Sequence, residues 1–75
     1  MNNVAVTAHN INNNLVAFAV SPPAPTLGGS LATAQHAWPE HAAIIRAAYD
    51  RGGYRRDGTT DWFFIDEVAA DAAEL

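Results

Sequence analysis

The chain is 75 residues long, carries a formal net charge of −4 and contains no cysteine. A chain of this length is expected to form a single small domain over residues 1–75, with a small core and marginal stability. The lack of cysteine excludes disulfides, cysteine-ligated zinc and thiol catalysis. So small a domain has little room for a water-excluding pocket, so we expect neither enzyme activity nor a cofactor. Its apolar segments are too short to span a bilayer, and a cytoplasmic location is expected.

Two apolar segments near the start of the chain predict a β-hairpin. Residues 3–8 and 15–20 alternate between larger and smaller or polar side chains, which is the period of a strand. The asparagines at residues 12–14 predict the turn, because Asn tolerates left-handed backbone. Residues 21–29, rich in proline and glycine, are predicted to connect the sheet to the helices, since proline cannot donate to a sheet ladder.

The central part of the chain predicts two helical pieces that meet at Trp38. Ser30 is placed to cap a first helix over residues 31–37. Pro39 removes a backbone donor and disfavours helical backbone at the preceding residue, so the helix is expected to end or kink there. A second, amphipathic helix follows and is predicted to stop at the glycine pair of residues 52–53.

The last part of the chain is predicted to hold a strand and a helix. Residues 54–60 are typical of a turn, and the aromatic residues within 61–65 favour a strand. Asp66 is placed to cap a final helix over residues 67–74. The alternative is a single helix over residues 61–75, because apolar residues also recur there at helical spacing.

These elements predict an α+β fold. Its sheet is small, three-stranded and mainly antiparallel, and combines the N-terminal hairpin with one later strand. The sheet packs on a kinked central helix, and a short acidic helix ends the chain. A right-handed crossover is expected to place the third strand parallel to the second. One apolar sheet face is left uncovered. This favours an alternative function as a structural or assembly subunit that acts as a homo-oligomer, such as a homodimer.

Charge is distributed unevenly along the chain. The four basic residues are all arginines and lie between Arg46 and Arg56, whereas most acidic residues lie from Asp57 onward. A basic and aromatic patch can contact phosphate, but the net negative charge disfavours direct binding of nucleic acid. The simpler interpretation of this patch is that its arginines complement the dipole at a helix end and pair with nearby aspartates.

The acidic end of the chain supplies the leading functional hypothesis. We expect a small acidic protein-binding module, an inhibitor or modulator that occludes the basic surface of a larger, nucleic-acid-handling partner. Compact phage-type anti-defence inhibitors offer an analogy of size and charge only. The candidate partner-binding residues are Asp61, Trp62, Asp66, Glu67, Asp71 and Glu74.

A small metal- or anion-binding protein is a further hypothesis. His36, Glu40 and His41 have the residue types of a metal site, but Pro39 interrupts the helical register between them and no fourth ligand is evident. Residues 28–30, Gly-Gly-Ser at a predicted helix start, can offer backbone N–H groups to an anion. They lack the lysine that a phosphate-binding loop carries, so a flexible connector with a helix cap is the simpler interpretation.

Overall fold

A computed structural model describes residues 3–75 as a four-stranded antiparallel sheet with three α-helices. The strands are β1 (Ala5–Ile11), β2 (Asn14–Ser21), β3 (Tyr54–Arg56) and β4 (Asp61–Phe64). The helices are α1 (Leu27–Ala37), α2 (Ala42–Asp50) and α3 (Glu67–Ala72), with a 3-10 turn, Pro39–His41, before α2. The order across the sheet is β1-β2-β4-β3. The α+β class and the antiparallel sheet are confirmed.

Two details of the predicted sheet were wrong. It has four strands rather than three, because residues 54–56, assigned to a turn, pair with β4. The strand at residues 61–64 is antiparallel to β2, not parallel. The physical reason is that β3 turns straight back into β4, so the chain reaches β2 from the opposite direction. The strand followed by a helix in residues 61–75 is confirmed, and the single-helix alternative is not.

The N-terminal hairpin forms as its sequence predicts. Asn12 and Asn13 connect β1 to β2 and have φ angles of 52° and 66°. Left-handed backbone at both central residues suits the right-handed twist of a two-residue hairpin, and asparagine accepts it at low cost. β2 lies between β1 and β4, and its residues 16–20 are buried on both faces.

The hydrophobic core lies between one face of the sheet and helices α1 and α2. Phe18 on β2 is paired with Phe63 on β4, and both side chains are fully buried. Burying such a side chain stabilises the fold by about 1.5–3 kcal/mol. Small residues on the two helices allow them to approach the aromatic rings closely. The buried core cluster consists of Phe18, Val20, Leu31, Ala34, Ile45, Ala48 and Phe63.

Helix α1 begins earlier than the sequence predicts, and Ser30 does not cap it. Thr26 is the cap: its Oγ1 accepts a hydrogen bond from the Gly29 amide at 3.0 Å. Ser30 lies inside the helix and is buried, and its Oγ accepts a bond from the Ala24 amide at 2.9 Å. The prediction was wrong because the hydroxyl of Ser30 serves the incoming proline-rich segment instead of its own helix.

Trp38 forms the corner between α1 and α2, as predicted. Its ψ of 68° is not helical, and the 3-10 turn begins at Pro39. The indole Nε1 donates to the Val6 carbonyl at 3.1 Å, and the ring centroid lies 5.7 Å from that of Phe18. The side chain therefore fills the core corner and also occupies a backbone acceptor of the edge strand β1.

The glycine pair after α2 meets two different needs. Gly52 has a φ of 77°, which ends the helix in the way that the sequence predicts. Gly53 is needed for close approach: a Cβ there would lie 3.2 Å from the Ala48 carbonyl oxygen and 3.3 Å from the Phe64 carbonyl oxygen. Its own carbonyl accepts the Phe64 amide at 2.7 Å, which extends the β3–β4 pairing by one rung.

Candidate interaction site

The segment that carries most of the predicted partner-binding residues is held firmly against the sheet. The Val16 carbonyl accepts hydrogen bonds from the amides of Ile65, at 2.8 Å, and Asp66, at 3.1 Å. Asp66 caps α3 as predicted, since its Oδ1 accepts from the Ala69 amide at 3.0 Å. α3 lies against β2, and Ala70 is buried. The orientation of this short helix is thereby fixed.

An open groove of about 650 Å³ lies beside the start of α3. Its apolar lining comes from Leu15, Ile65 and Val68. Val68 is 82% exposed, which is the largest exposed fraction of any large hydrophobic residue in the described part of the chain. The polar lining is Asn14, Arg51, Asp66 and Glu67. We name as the α3 surface this groove together with Asp71 and Glu74, the two acidic residues that follow it.

Arg51 is the cation nearest the groove, and its main contacts are with the backbone. Its Nη2 donates to the carbonyls of Phe64, at 2.8 Å, and Ile65, at 3.1 Å. Its Nε lies 3.8 Å from Glu67 Oε1, with both side chains about half exposed. An exposed pair at that distance contributes at most about 1 kcal/mol. Glu67 is therefore only weakly compensated, and Arg51 chiefly holds the chain between β4 and α3.

The other three arginines are also engaged within the molecule. Arg46 pairs with Asp50 at 3.0 Å, and Arg56 pairs with Asp61 at 2.9 Å. Arg55 donates to the Leu75 carbonyl at 2.7 Å. Within residues 3–75, three carboxylates of the α3 surface have no salt-bridge partner: Asp66, Asp71 and Glu74.

Asp61, predicted to contact a partner, lies in the interior. Its side chain is fully buried and receives both Nε and Nη2 of Arg56, at 2.9 Å and 3.1 Å. Arg56 also donates to the carbonyls of Ala24 and Pro25, so the pair ties the proline-rich segment to the edge of the sheet. Asp61 therefore belongs to the framework of the fold and not to the α3 surface.

Trp62, predicted as an anchor, lies on the sheet face that points away from α1 and α2. It is half-buried, with its ring centroid 4.9 Å from His9 and 6.1 Å from Phe64. The Arg55 guanidinium lies 5.6 Å from the Trp62 centroid and 5.4 Å from the Phe64 centroid. The neighbouring β2 residue is Ala19, which leaves space for these larger side chains.

The second sheet face thus differs from the broad apolar surface expected for a homodimer. Its aromatic rings pack on one another and under a guanidinium, so they are partly screened from water by the chain itself. The larger apolar residues of β1 and β2 belong mostly to the helix-covered side, where Phe18 and Val20 form part of the core and Val6 packs against it.

Sequence reasoning missed the groove itself. The spacing of Val68, Ala72 and Leu75 places them on one apolar face of the last helix, which is the kind of face that usually packs inward. Ala70 is the buried position instead. The signal that was available is the short span predicted for this helix, residues 67–74, because a short helix buries few positions. In the structure α3 is shorter still, Glu67–Ala72, and its contact with β2 decides which position is buried.

The structure also places the residues of the metal and anion hypotheses. Across residues 3–75, no group of three or more His, Asp and Glu side chains is placed to hold a metal ion. His41 packs into the core corner, 5.7 Å from Phe18 and 6.2 Å from Trp38 between ring centroids. The Gly29 and Ser30 amides, which the anion hypothesis requires, are bonded to the Oγ1 and the carbonyl of Thr26 respectively.

Comparison with protein-family models, with curated proteins and with solved structures finds no match for this chain. Over residues 3–75, none of the helices has the length and apolar character needed to cross a membrane. Function is therefore inferred from the α3 surface.

Proposed function

We propose that this protein is a small acidic protein-binding module that inhibits or modulates a larger, nucleic-acid-handling protein by occluding its basic surface. One observation carries the proposal. All four arginines are engaged within the molecule, while Asp66, Asp71 and Glu74 have no salt-bridge partner in residues 3–75. The net charge of −4 is therefore concentrated, in part, on the α3 surface.

The fold has little need for these charges. Asp66 is required as a cap, but asparagine caps a helix equally well without a charge. Asp71 and Glu74 are exposed and receive no side-chain hydrogen bond in the described part of the chain. Surface residues of this kind change stability by about 0.5 kcal/mol or less. Acidic side chains that folding does not use are available to a partner.

A basic partner suits these charges. Carboxylates opposite Lys and Arg side chains accelerate association and select against acidic partners. A surface that binds nucleic acid is rich in such cations, because it neutralises phosphates. Carboxylates on α3 and at its two ends compete for the same cations, and a partner that holds them is expected to lose access to its nucleic acid.

The proposal is tested by retention of proteins from a cell extract on the immobilised chain. We compare the wild-type protein with the variant Asp66→Asn/Asp71→Asn/Glu74→Gln, which removes charge but keeps side-chain shape and the cap. The control variant Glu40→Gln/Asp50→Asn removes two charges from other exposed positions. Retained proteins are identified by mass spectrometry, purified and titrated, with nucleic acid as competitor.

The expected result is a basic nucleic-acid-binding protein that the wild type and the control retain, and that the α3 variant binds about tenfold more weakly. Nucleic acid should compete with the wild type for it. A partner that binds the α3 variant as tightly as the wild type contradicts the proposal, as does a partner whose binding nucleic acid does not affect.

A further inference from the structure

We infer that the groove of the α3 surface receives an aliphatic side chain of a basic segment of the partner, whose neighbouring Arg or Lys residues pair with Glu67 and Asp71. The inference rests on the proposed function and specifies what the partner presents there. It combines two separate properties of the groove: an apolar lining and an acidic rim.

Leu15 and Ile65 also pack against the hydrophobic core, but folding does not explain the exposed Val68 beside them. Successive residues of an α-helix are about 100° apart, so residues two positions apart point to nearly opposite sides. Because Ala70 is buried against the sheet, Val68 is directed outward and is 82% exposed. A β-branched residue is also a weak helix former, so an exposed valine contributes little to α3. Together with Leu15 and Ile65 it provides a surface that an apolar side chain can cover.

The acidic rim lies next to Val68 on the same helix. Asp71 is three positions after Val68 and four after Glu67, so the three side chains are neighbours on the helix surface. Glu67 is held only weakly by Arg51, at 3.8 Å, and Asp71 has no salt-bridge partner in residues 3–75.

This arrangement selects one kind of occupant. A purely apolar segment would remove the two carboxylates from water without replacing their hydrogen bonds, which is unfavourable. An acidic segment would be repelled. A segment that places Arg or Lys beside an aliphatic residue satisfies the carboxylates and covers Val68 at the same time, and the partner's basic surface supplies those cations.

The probes are two synthetic peptides of equal charge, Arg-Ala-Arg-Leu-Arg-Ala-Arg and the same peptide with serine in place of leucine. Each is titrated into the full-length protein, and binding is followed by the methyl resonances of Leu15, Ile65 and Val68. The variants are Val68→Ser and, as a matched control, Val4→Ser, which alters another exposed valine. The near-isosteric Val68→Thr is a second test that leaves the shape of α3 unchanged.

The wild type should bind the leucine peptide about fivefold more tightly than the serine peptide. Val68→Ser should reduce that preference below twofold, Val68→Thr should weaken it, and Val4→Ser should leave it unchanged. Equal binding of the two peptides by the wild type overturns the inference, as does a preference that survives Val68→Ser.

The charge arm of the same titration tests the proposed function separately. Asp66→Asn/Asp71→Asn/Glu74→Gln should weaken both peptides to a similar degree. If that variant binds both peptides as well as the wild type does, the proposed function fails. If the charge effect is present and the leucine preference is absent, only the role of the groove is overturned.

Discussion

The two ends of β4 use acidic side chains in opposite ways. At its start, Asp61 is fully buried and accepts hydrogen bonds from Nε and Nη2 of Arg56. The same guanidinium also donates to the Pro25 carbonyl in the proline-rich segment. Beyond its end, the carboxylates of Asp66, Asp71 and Glu74 face water, and within residues 3–75 none of them has a salt-bridge partner. The first region uses charge to hold elements of the fold together, and the second leaves charge available for binding.

The difference follows from what lies opposite each carboxylate. Asp61 faces a cross-strand arginine whose planar fork matches a carboxylate, and the pair lies where the connector covers it. Near α3, Arg51 lies 3.8 Å from Glu67, but its main hydrogen bonds go to backbone carbonyls, and Asp66, Asp71 and Glu74 have no salt-bridge partner in residues 3–75. Four predictions test this contrast, in order of decreasing effect.

The largest effect is expected for Asp61→Asn. A buried pair that loses one partner leaves an uncompensated charge, which typically destabilises a protein by about 3–5 kcal/mol. Because the Arg56 side chain is 37% exposed, water partly screens it and we expect about 2–3 kcal/mol. The matched control is Asp50→Asn, which breaks an Arg–Asp pair of similar length, 3.0 Å, that is exposed. It should cost less than about 0.5 kcal/mol.

Both variants are measured by urea unfolding followed by tryptophan fluorescence. If Asp61→Asn and Asp50→Asn lower the free energy of unfolding equally, Asp61 is not a framework residue. The contrast drawn between the two ends of β4 would then be wrong.

Gly53→Ala is expected to have the next largest effect, about 1–3 kcal/mol of destabilisation, because its Cβ would press on two carbonyl oxygens at the junction of α2 and β4. The same Cβ would lie 2.7 Å from Glu67 Oε1. Gly28→Ala is the control: it lies in α1 with open space around it, and it should be neutral or stabilise by up to about 1 kcal/mol. Thermal unfolding by circular dichroism measures both, and equal melting temperatures contradict the packing described for Gly53.

Asp66 has two roles that substitutions can separate: its side-chain oxygen caps α3, and its negative charge is available to a partner. Asp66→Ala should destabilise the protein by about 1 kcal/mol because the Ala69 amide loses its acceptor. Asp66→Asn should change stability by only a few tenths of a kcal/mol. In binding the two variants should be weakened alike, since both lack the charge. A loss of binding in Asp66→Ala alone shows that the cap, and not the carboxylate, matters to the partner.

Asp57 is exposed, yet its charge is used locally. Hydrogen bonds from the amides of Thr59 and Thr60 and from the Thr59 hydroxyl hold the pKa of the Asp57 carboxyl below its ordinary value of 3.8. A lowered pKa in the folded state stabilises the protein above the unfolded value, and this contribution is lost as the pH falls through the folded value.

Titration of the Asp57 carboxyl by NMR should therefore give a pKa below 3.8, and Asp57→Asn should lack this contribution to the pH dependence of unfolding. A pKa at or above 3.8 shows that the β3–β4 turn is not closed by this carboxylate.

Features set by local chemistry were predictable from the sequence. The turn at Asn12 and Asn13 follows from left-handed backbone, the corner at Trp38 from the proline after it, and the cap at Asp66 from its side-chain acceptor. Each depends on residues only a few positions apart, so tertiary contacts had little opportunity to override it.

Features set by distant contacts were not predictable. Ser30 fails to cap because it bonds the connector, and β3 is a strand only because β4 pairs with it. The burial of Asp61 depends on Arg56 being directly opposite in the sheet register. The exposure of Val68 depends on which side of a very short helix meets β2. In each case the local sequence is compatible with two conformations or environments for the residue, and tertiary packing selects one of them.

The most direct test of the account is the affinity of the retained nucleic-acid-binding partner for two variants that remove equal charge. Asp71→Asn/Glu74→Gln removes two carboxylates from the α3 surface, and Glu40→Gln/Asp50→Asn removes two exposed carboxylates elsewhere. If the partner binds the α3 surface, the first variant should weaken binding about tenfold and the second should change it less than twofold. Both variants should fold with nearly wild-type stability. Equal weakening by the two variants would show that only net charge matters, and would contradict a specific role for the α3 surface.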